Sequence, residues 1–205
     1  MVVAPGPSLN AGVAQEIAES GWPVVVCQDA YRLMPWADVL YGCDVKWWNA
    51  HNGCDFAGEK WSSHSKDSCS DDKIATAEKY GLNLIKGVPG DGFSTDQGVI
   101  HYNDNSGAQS INLAILFGAT YIILVGFDMQ HAGGKSHFFG DHPQGLFQRK
   151  EYQSFAKKFK TLDGVTIVNA TPGSALKAYP MMSLEAAIEN GGVYRNGSVA
   201  NAIAN

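Results

Sequence analysis

The chain has 205 residues, 45% of them apolar, and a formal net charge of −5. That is enough to build one sizeable core and too acidic for non-specific binding of nucleic acid or anionic lipid, which needs an excess of Lys and Arg. No apolar run approaches the ~20 residues that span a bilayer and no basic-then-apolar leader opens the chain, so a cytoplasmic protein is expected.

In chain order, a short strand at Val2–Ala4 meets a Gly/Pro turn, then a helical pattern at Asn10–Ser20 stopped by Gly21. Pro23–Cys27 and Asp38–Gly42 read as buried strands, and Val45–Asn52 as a short aromatic helix. Gly53–Asp72 is loop, with at most a strand at Lys60–Ser62. A helix at Asp72–Tyr80, a strand at Leu82–Lys86 and a flexible turn at Gly87–Gln97 follow. Asn105 or Ser106 caps a helix running through Phe117, and the apolar run Tyr121–Val125 is expected to be the central strand. Beyond it come a Gly/His-rich loop at Gly126–Gln144, an amphipathic helix at Gln148–Thr161, a last strand at Val165–Val168 and a short helix at Ser183–Glu189. Strands alternating with helices imply a single Rossmann-like α/β domain over residues 1–190, with a polar tail at 191–205. Its sheet should be mostly parallel and flanked by helices, with ligands at the C-terminal strand ends.

The chemically suggestive residues fall just after strands. Pro5-Gly6-Pro7-Ser8 and Asn105-Ser106-Gly107 both open helices, where N–H groups and the macrodipole favour an anion. Each also reads as plain turn or cap chemistry. Gln28-Asp29 and Cys43-Asp44 offer polar strand ends to a base or ribose. Three of the six histidines lie between Gly126 and Pro143, where one can serve as a base oriented by Asp141 or Asp128. A metal held by Asp128, His131, His137 and His142 is the alternative there, and solvated loop histidines a third reading. Cys27, Cys43, Cys54 and Cys69 contain no CxxC pair and read as reduced thiols, in preference to a zinc set with His51 and His64. Trp47, Trp48 and Trp61 can stack on a sugar or base, pack a homo-oligomer interface or join the core, the last being preferred.

Taken in order, Gly6-Pro7-Ser8-Leu9, Asn105-Ser106-Gly107, Leu124-Val125-Gly126-Phe127-Asp128, His137-Phe138-Phe139-Gly140-Asp141-His142 and the segment from Asn169 through Thr171, Pro172, Gly173 and Ser174 to Leu176 resemble a family. They look like the bacterial lipo-oligosaccharide sialyltransferases and their relatives, the archaeal 6-hydroxymethylpterin pyrophosphokinase-like proteins and phage-encoded members. The resemblance covers most of the chain except Gly53–Gly98. It implies a nucleotide- or nucleotide-sugar-dependent, glycosyltransferase-like enzyme with a cytidine monophosphate type of donor bound by Gly6, Pro7, Ser8, Ser106 and Gly107. It makes His142 the general base and sets Asn169, Thr171 and Ser174 against the nucleotide. Pro5 stands where the family turn has Asn, and Asp29 and Asp44 stand in place of asparagines. Met129, Lys135 and His137 replace loop tyrosines, so Lys135 inherits the role of steadying the leaving phosphate. A pterin-type pyrophosphokinase using ATP, with Mg²⁺ on Asp29, Asp44 or Asp128, is one alternative. A non-catalytic nucleotide-binding module is another.

Overall fold

A computed structural model describes residues 1–64, 71–102, 105–142, 146, 152, 155 and 157–198. Among these residues, eight short strands form one sheet in which every neighbouring pair is parallel. They are β1 (Val2–Val3), β2 (Val25–Cys27), β3 (Val39–Tyr41), β4 (Glu59–His64), β5 (Asn83–Val88), β6 (Val99–His101), β7 (Tyr121–Val125) and β8 (Thr166–Asn169). The helices of the described residues are α1 (Ala11–Ser20), α2 (Val45–Ala50), α3 (Asp71–Tyr80), α4 (Ser106–Leu116) and α5 (Leu184–Ser198). A parallel sheet needs both faces covered, and the apolar residues of its strands divide accordingly. Val3, Val26, Ile123 and Val125 pack with Ala14, Ile17, Trp47, Trp48 and Leu184 on one face. Val2, Val25, Ile122 and Leu124 pack with Ala108, Ile111, Leu113, Phe155 and Phe159 on the other.

The helix ends follow local chemistry. The Asn10 side chain accepts from the N–H groups of Gly12 and Val13, and Gly21 closes α1 in the left-handed conformation (φ 63°). Asn105 caps α4 by accepting from Ala108 N–H. Buried Asn112 ties α4 to the chain before and within β6: its Oδ1 accepts from the N–H groups of Ser94 (2.9 Å) and His101 (3.0 Å), and its Nδ2 donates to Ser94 O.

The α/β class and parallel sheet expected from the sequence are observed, with several corrections to the elements. The strand order is β6-β5-β4-β3-β2-β1-β7-β8, so Tyr121–Val125 lies next to the edge rather than at the centre. All five of its residues are buried because both faces of the sheet are covered there, and burial on two faces does not require a central position. Val99–His101, where the sequence pattern marks no strand, is an edge strand. A 3₁₀ turn at Gln28–Arg32 follows β2. The terminal helix runs through Ser198, past the expected start of the polar tail. Half of the helix expected at Gln148–Thr161 lies outside the described residues, and 157–161 form a turn and irregular chain. Among the described residues no helix is long and apolar enough to cross a membrane.

Candidate functional site

The chain leaves β1 toward β2 and successive strands on one side, then returns through α4 to place β7 on β1's other side. This makes β1/β7 the topological switch point, where crevices open at the carboxyl ends of parallel strands. A cleft of about 750 Å³ lies there, walled by Pro5, Gly6 and Pro7 after β1, Gln28 after β2, Asp44 after β3, Asn105, Ser106 and Gly107 at α4, Asp128 after β7, and His137 and His142. Gln28 (φ 45°) and Met129 (φ 51°), both in its wall, hold left-handed backbone that side chains disfavour. Such strain gathers at functional sites.

The turn after β1 is a structural corner more than an anion cradle. Pro5 and Pro7 have no N–H, and the remaining N–H groups of residues 4–9 are all donated internally: Ala4 to Val125 O, Gly6 to Gly126 O, Ser8 to Asp128 Oδ1 and Leu9 to Gly6 O. Ser8 Oγ donates to Asp128 Oδ2 at 2.8 Å, so Ser8 serves the β7 loop instead of a ligand. A Cβ on Gly6 would lie 2.0 Å from Asp128 Oδ2 and 2.2 Å from Gly126 O; on Gly126 it would lie 2.0 Å from Ala4 O. Two glycines therefore let the β1 and β7 loops touch. Burial pushes the Asp128 carboxyl above its ordinary range, while the two Ser8 hydrogen bonds oppose that rise.

The start of α4 differs. Ser106 and Gly107 line the cleft, and among the described residues their N–H groups meet no protein acceptor. Gly107 is also needed for packing, since a Cβ there would lie 2.9 Å from Phe127 Cε1. Ser106 Oγ is 3.0 Å from Cys43 Sγ, and Lys73 Nζ donates to Cys43 O, which brings a cation to the same rim. Asp44 precedes α2 without capping it, and its carboxylate makes no hydrogen bond or ion pair among the described residues.

His142 and His137 line the cleft with ring centroids 4.5 Å apart. Burial lowers the pKa of both, His137 to about 4 with further help from His142, so both rings are neutral at pH 7. Asp141, expected to orient His142, instead accepts from Ser136 Oγ at 2.8 Å. Asp29, expected to meet a ribose or base, is 1% exposed and outside the cleft wall. Its carboxylate accepts from Trp47 Nε1 (2.7 Å), lies 3.1 Å from His51 Nε2 and sits 3.7 Å from His142 Nδ1. The polar strand end turns inward because α2 presents Trp47 and His51, one helical turn apart and stacked, as partners.

The contacts expected of Asn169, Thr171 and Ser174 fail for the same physical reason, whereas Lys135 fails by exposure and the preferred core reading of Trp47 and Trp48 is observed. Asn169, Thr171 and Ser174 are fully buried and bond to one another and to the β7 loop, Thr171 Oγ1 accepting from Phe127 N–H and Ser174 Oγ donating to Phe127 O. They pin two loops together and do not line the cleft. Lys135 is exposed in a tight Ala132–Lys135 turn, away from the cleft. Trp47 and Trp48 belong to the core, and half-buried Trp61 packs on Phe117.

Among the described residues no three His, Cys, Asp or Glu side chains converge as a metal site. Cys69 lies outside the described residues, and Cys27, Cys43 and Cys54 are free thiols pushed up by burial to about 12, 11 and 12. Lys73 and Tyr102 line the cleft without having drawn notice in the sequence, and His64, considered there only as a zinc ligand, lines it too. They come from a stretch with weak periodicity, and only their placement at strand or helix ends hinted at them. Fold and site together define a Rossmann-like α/β protein with a cleft at its switch point. No family model, curated protein or solved structure matches the chain.

Proposed function

We propose that the chain is a nucleotide- or nucleotide-sugar-dependent transferase, with its donor in the switch-point cleft and His142 as general base. The observation that carries this reading is one cleft holding both a neutral imidazole and a helix start whose first N–H groups, among the described residues, have no protein acceptor. A phosphate at Ser106 and Gly107 gains two N–H donors and the α4 dipole, and Lys73 adds positive charge at the rim. His142 takes the proton of an acceptor hydroxyl, the freed oxygen pair attacks the donor carbon, and the carbon–oxygen bond to phosphate breaks. The departing nucleotide phosphate carries the electron pair, which the α4 N–H groups stabilise. The resemblance to the sialyltransferases favours a cytidine monophosphate donor, and Asp44 is the acceptor group closest in kind to what ribose hydroxyls or a base amino group require.

The pyrophosphokinase alternative fits these residues poorly. Of the three aspartates it would use for Mg²⁺, Asp29 is outside the cleft wall and both Asp128 oxygens accept from Ser8, which leaves Asp44. A melting-temperature panel of CMP, CDP, UDP-sugars, ATP and pterins, each with and without Mg²⁺, tests the reading, because a ligand of the native state raises apparent stability. Stabilisation by a cytidine nucleotide without Mg²⁺ supports it, and stabilisation by ATP only with Mg²⁺ overturns it. In a transfer assay, His142→Ala that retains donor affinity and turns over at the wild-type rate removes the base assignment.

A further inference from the structure

We infer that Asp29 is the positioning residue for His142: its carboxylate lies beside the ring at Nδ1 and favours the tautomer that carries the proton there, which makes Nε2 the basic nitrogen. This rests on the reading of His142 as the base, but its geometry is independent of the donor. Asp29 Oδ2 is 3.7 Å from His142 Nδ1, within ion-pair range but longer than a hydrogen bond, and His142 lines the cleft while Asp29 does not. Apo contacts of this kind are often longer than the bonds formed with substrate bound. A carboxylate on one ring nitrogen fixes the tautomer and so decides which nitrogen accepts a proton.

The carboxylate is itself held in place. Oδ2 accepts from Trp47 Nε1, and Oδ1 faces His51 Nε2 and, at 3.7 Å, Arg32 Nη1. His51 Nδ1 lies 2.9 Å from Trp47 O, so the ring is held at both of its nitrogens. Arg32 also lies over the Phe139 ring, 5.1 Å from its centroid, and Phe139 stacks on His137. The 3₁₀ turn after β2 is thereby fastened to the loop that carries His142. Asp141, the nearer carboxylate in sequence, is engaged by Ser136 and does not compete for the ring.

Among the described residues the charged and titratable groups that act on His142 are Asp29, His51, Asp141 and Asp44, with His137 against its ring; burial and His51 lower its pKa while the three carboxylates raise it. Removing the Asp29 charge therefore lowers proton affinity at His142. A carboxylate within this range moves a neighbour's pKa by about 1–3, and sharing with His51 and Arg32 puts the expected change at the low end, about tenfold in proton affinity.

The test uses the full chain with ¹⁵N-labelled histidine and long-range ¹H–¹⁵N correlation, with His142 assigned by its loss in His142→Gln. In the wild type above its pKa, the His142 ring is expected to carry its proton on Nδ1. In Asp29→Asn, which keeps an acceptor for Trp47 Nε1, its pKa should fall by about one and the tautomer preference should weaken. An Nε2–H tautomer in the wild type overturns the inference, as does an unchanged His142 pKa in folded Asp29→Asn. The wild-type spectrum decides the matter without the variant if Asp29→Asn impairs folding. An Nδ1–H ring in a protein that binds no nucleotide would retain this inference and remove the transferase reading.

Discussion

Replacing Ser174 by Ala separates a structural hydroxyl from a ligand-binding one. Ser174 Oγ donates to Phe127 O (2.5 Å) and accepts from Asn169 Nδ2 and Leu176 N (3.0 Å each), in a position with no solvent exposure. Alanine leaves the Leu176 N–H and one Asn169 N–H without that acceptor, although Asn169 Nδ2 keeps its bond to Leu176 O. Stranding a buried donor costs about 1–3 kcal/mol, so two give a loss of roughly 2–4 kcal/mol after partial relaxation. For a chain of this length each kcal/mol moves the midpoint by about 2–4 °C, and the expected drop in Tm is roughly 4–16 °C. Circular dichroism melts and urea titration measure it directly. A variant that melts within about 1 °C of the wild type would refute the hydrogen-bond assignment and return Ser174 to the candidate ligand contacts.

Gly6→Ala should be worse tolerated than its place in a loop would suggest. Its Cβ collides with Gly126 O and the Asp128 carboxylate, neither of which is a flexible chain end. Overpacking of this kind costs about 1–3 kcal/mol or more, and an unchanged urea midpoint would contradict the close loop contact. The pH dependence of stability carries the sign of the depressed His137 pKa. Unfolded histidine takes its proton near pH 6.5 while the folded ring waits until about 4. Stability is held in full above the unfolded value and lost as pH falls through that window. His142 adds to the same trend. The drop in urea midpoint from about pH 7.5 to about pH 4.5 should be smaller in His137→Gln than in the wild type, and equal drops would count against a neutral buried ring.

The elements that could be read from sequence were those whose local chemistry matches their tertiary role. Asn10 and Asn105 cap the helices they precede, and the five apolar residues of β7 lie in a sheet covered on both faces. β6 was illegible because three residues in a Gly/Ser/Asp-rich stretch carry no period, and its place depends on distant Asn112. The rim of the site was legible at Ser106, Gly107 and His142, since polar residues after strands mark where a parallel sheet binds ligands. Which polar residues face the cleft was not. Asp29, Ser8, Asn169, Thr171 and Ser174 are as polar as any binding residue, yet each is turned toward a partner elsewhere in the folded chain. A sequence shows that a donor or acceptor exists beyond a strand; its partner is set by loops that meet only on folding.

The placement of β1 between β2 and β7 also bears on how the chain reaches its native state. One edge of this two-residue strand can be matched once β2 has been made, but Val2 pairs with Leu124 on the other. At ordinary rates of synthesis, roughly 5–20 residues per second, that edge waits on the order of 6–24 s for its partner. The Ser8–Asp128 bonds span a similar interval of sequence. The β1–β7 side of the cleft mouth thus forms well after the β1–β2–β3 pairs, once Leu124 and Asp128 have been made. Conditions that slow elongation or hold the nascent chain should bear first on that mouth, leaving the β2–β3 region assembled while the β1–β7 seam is still open.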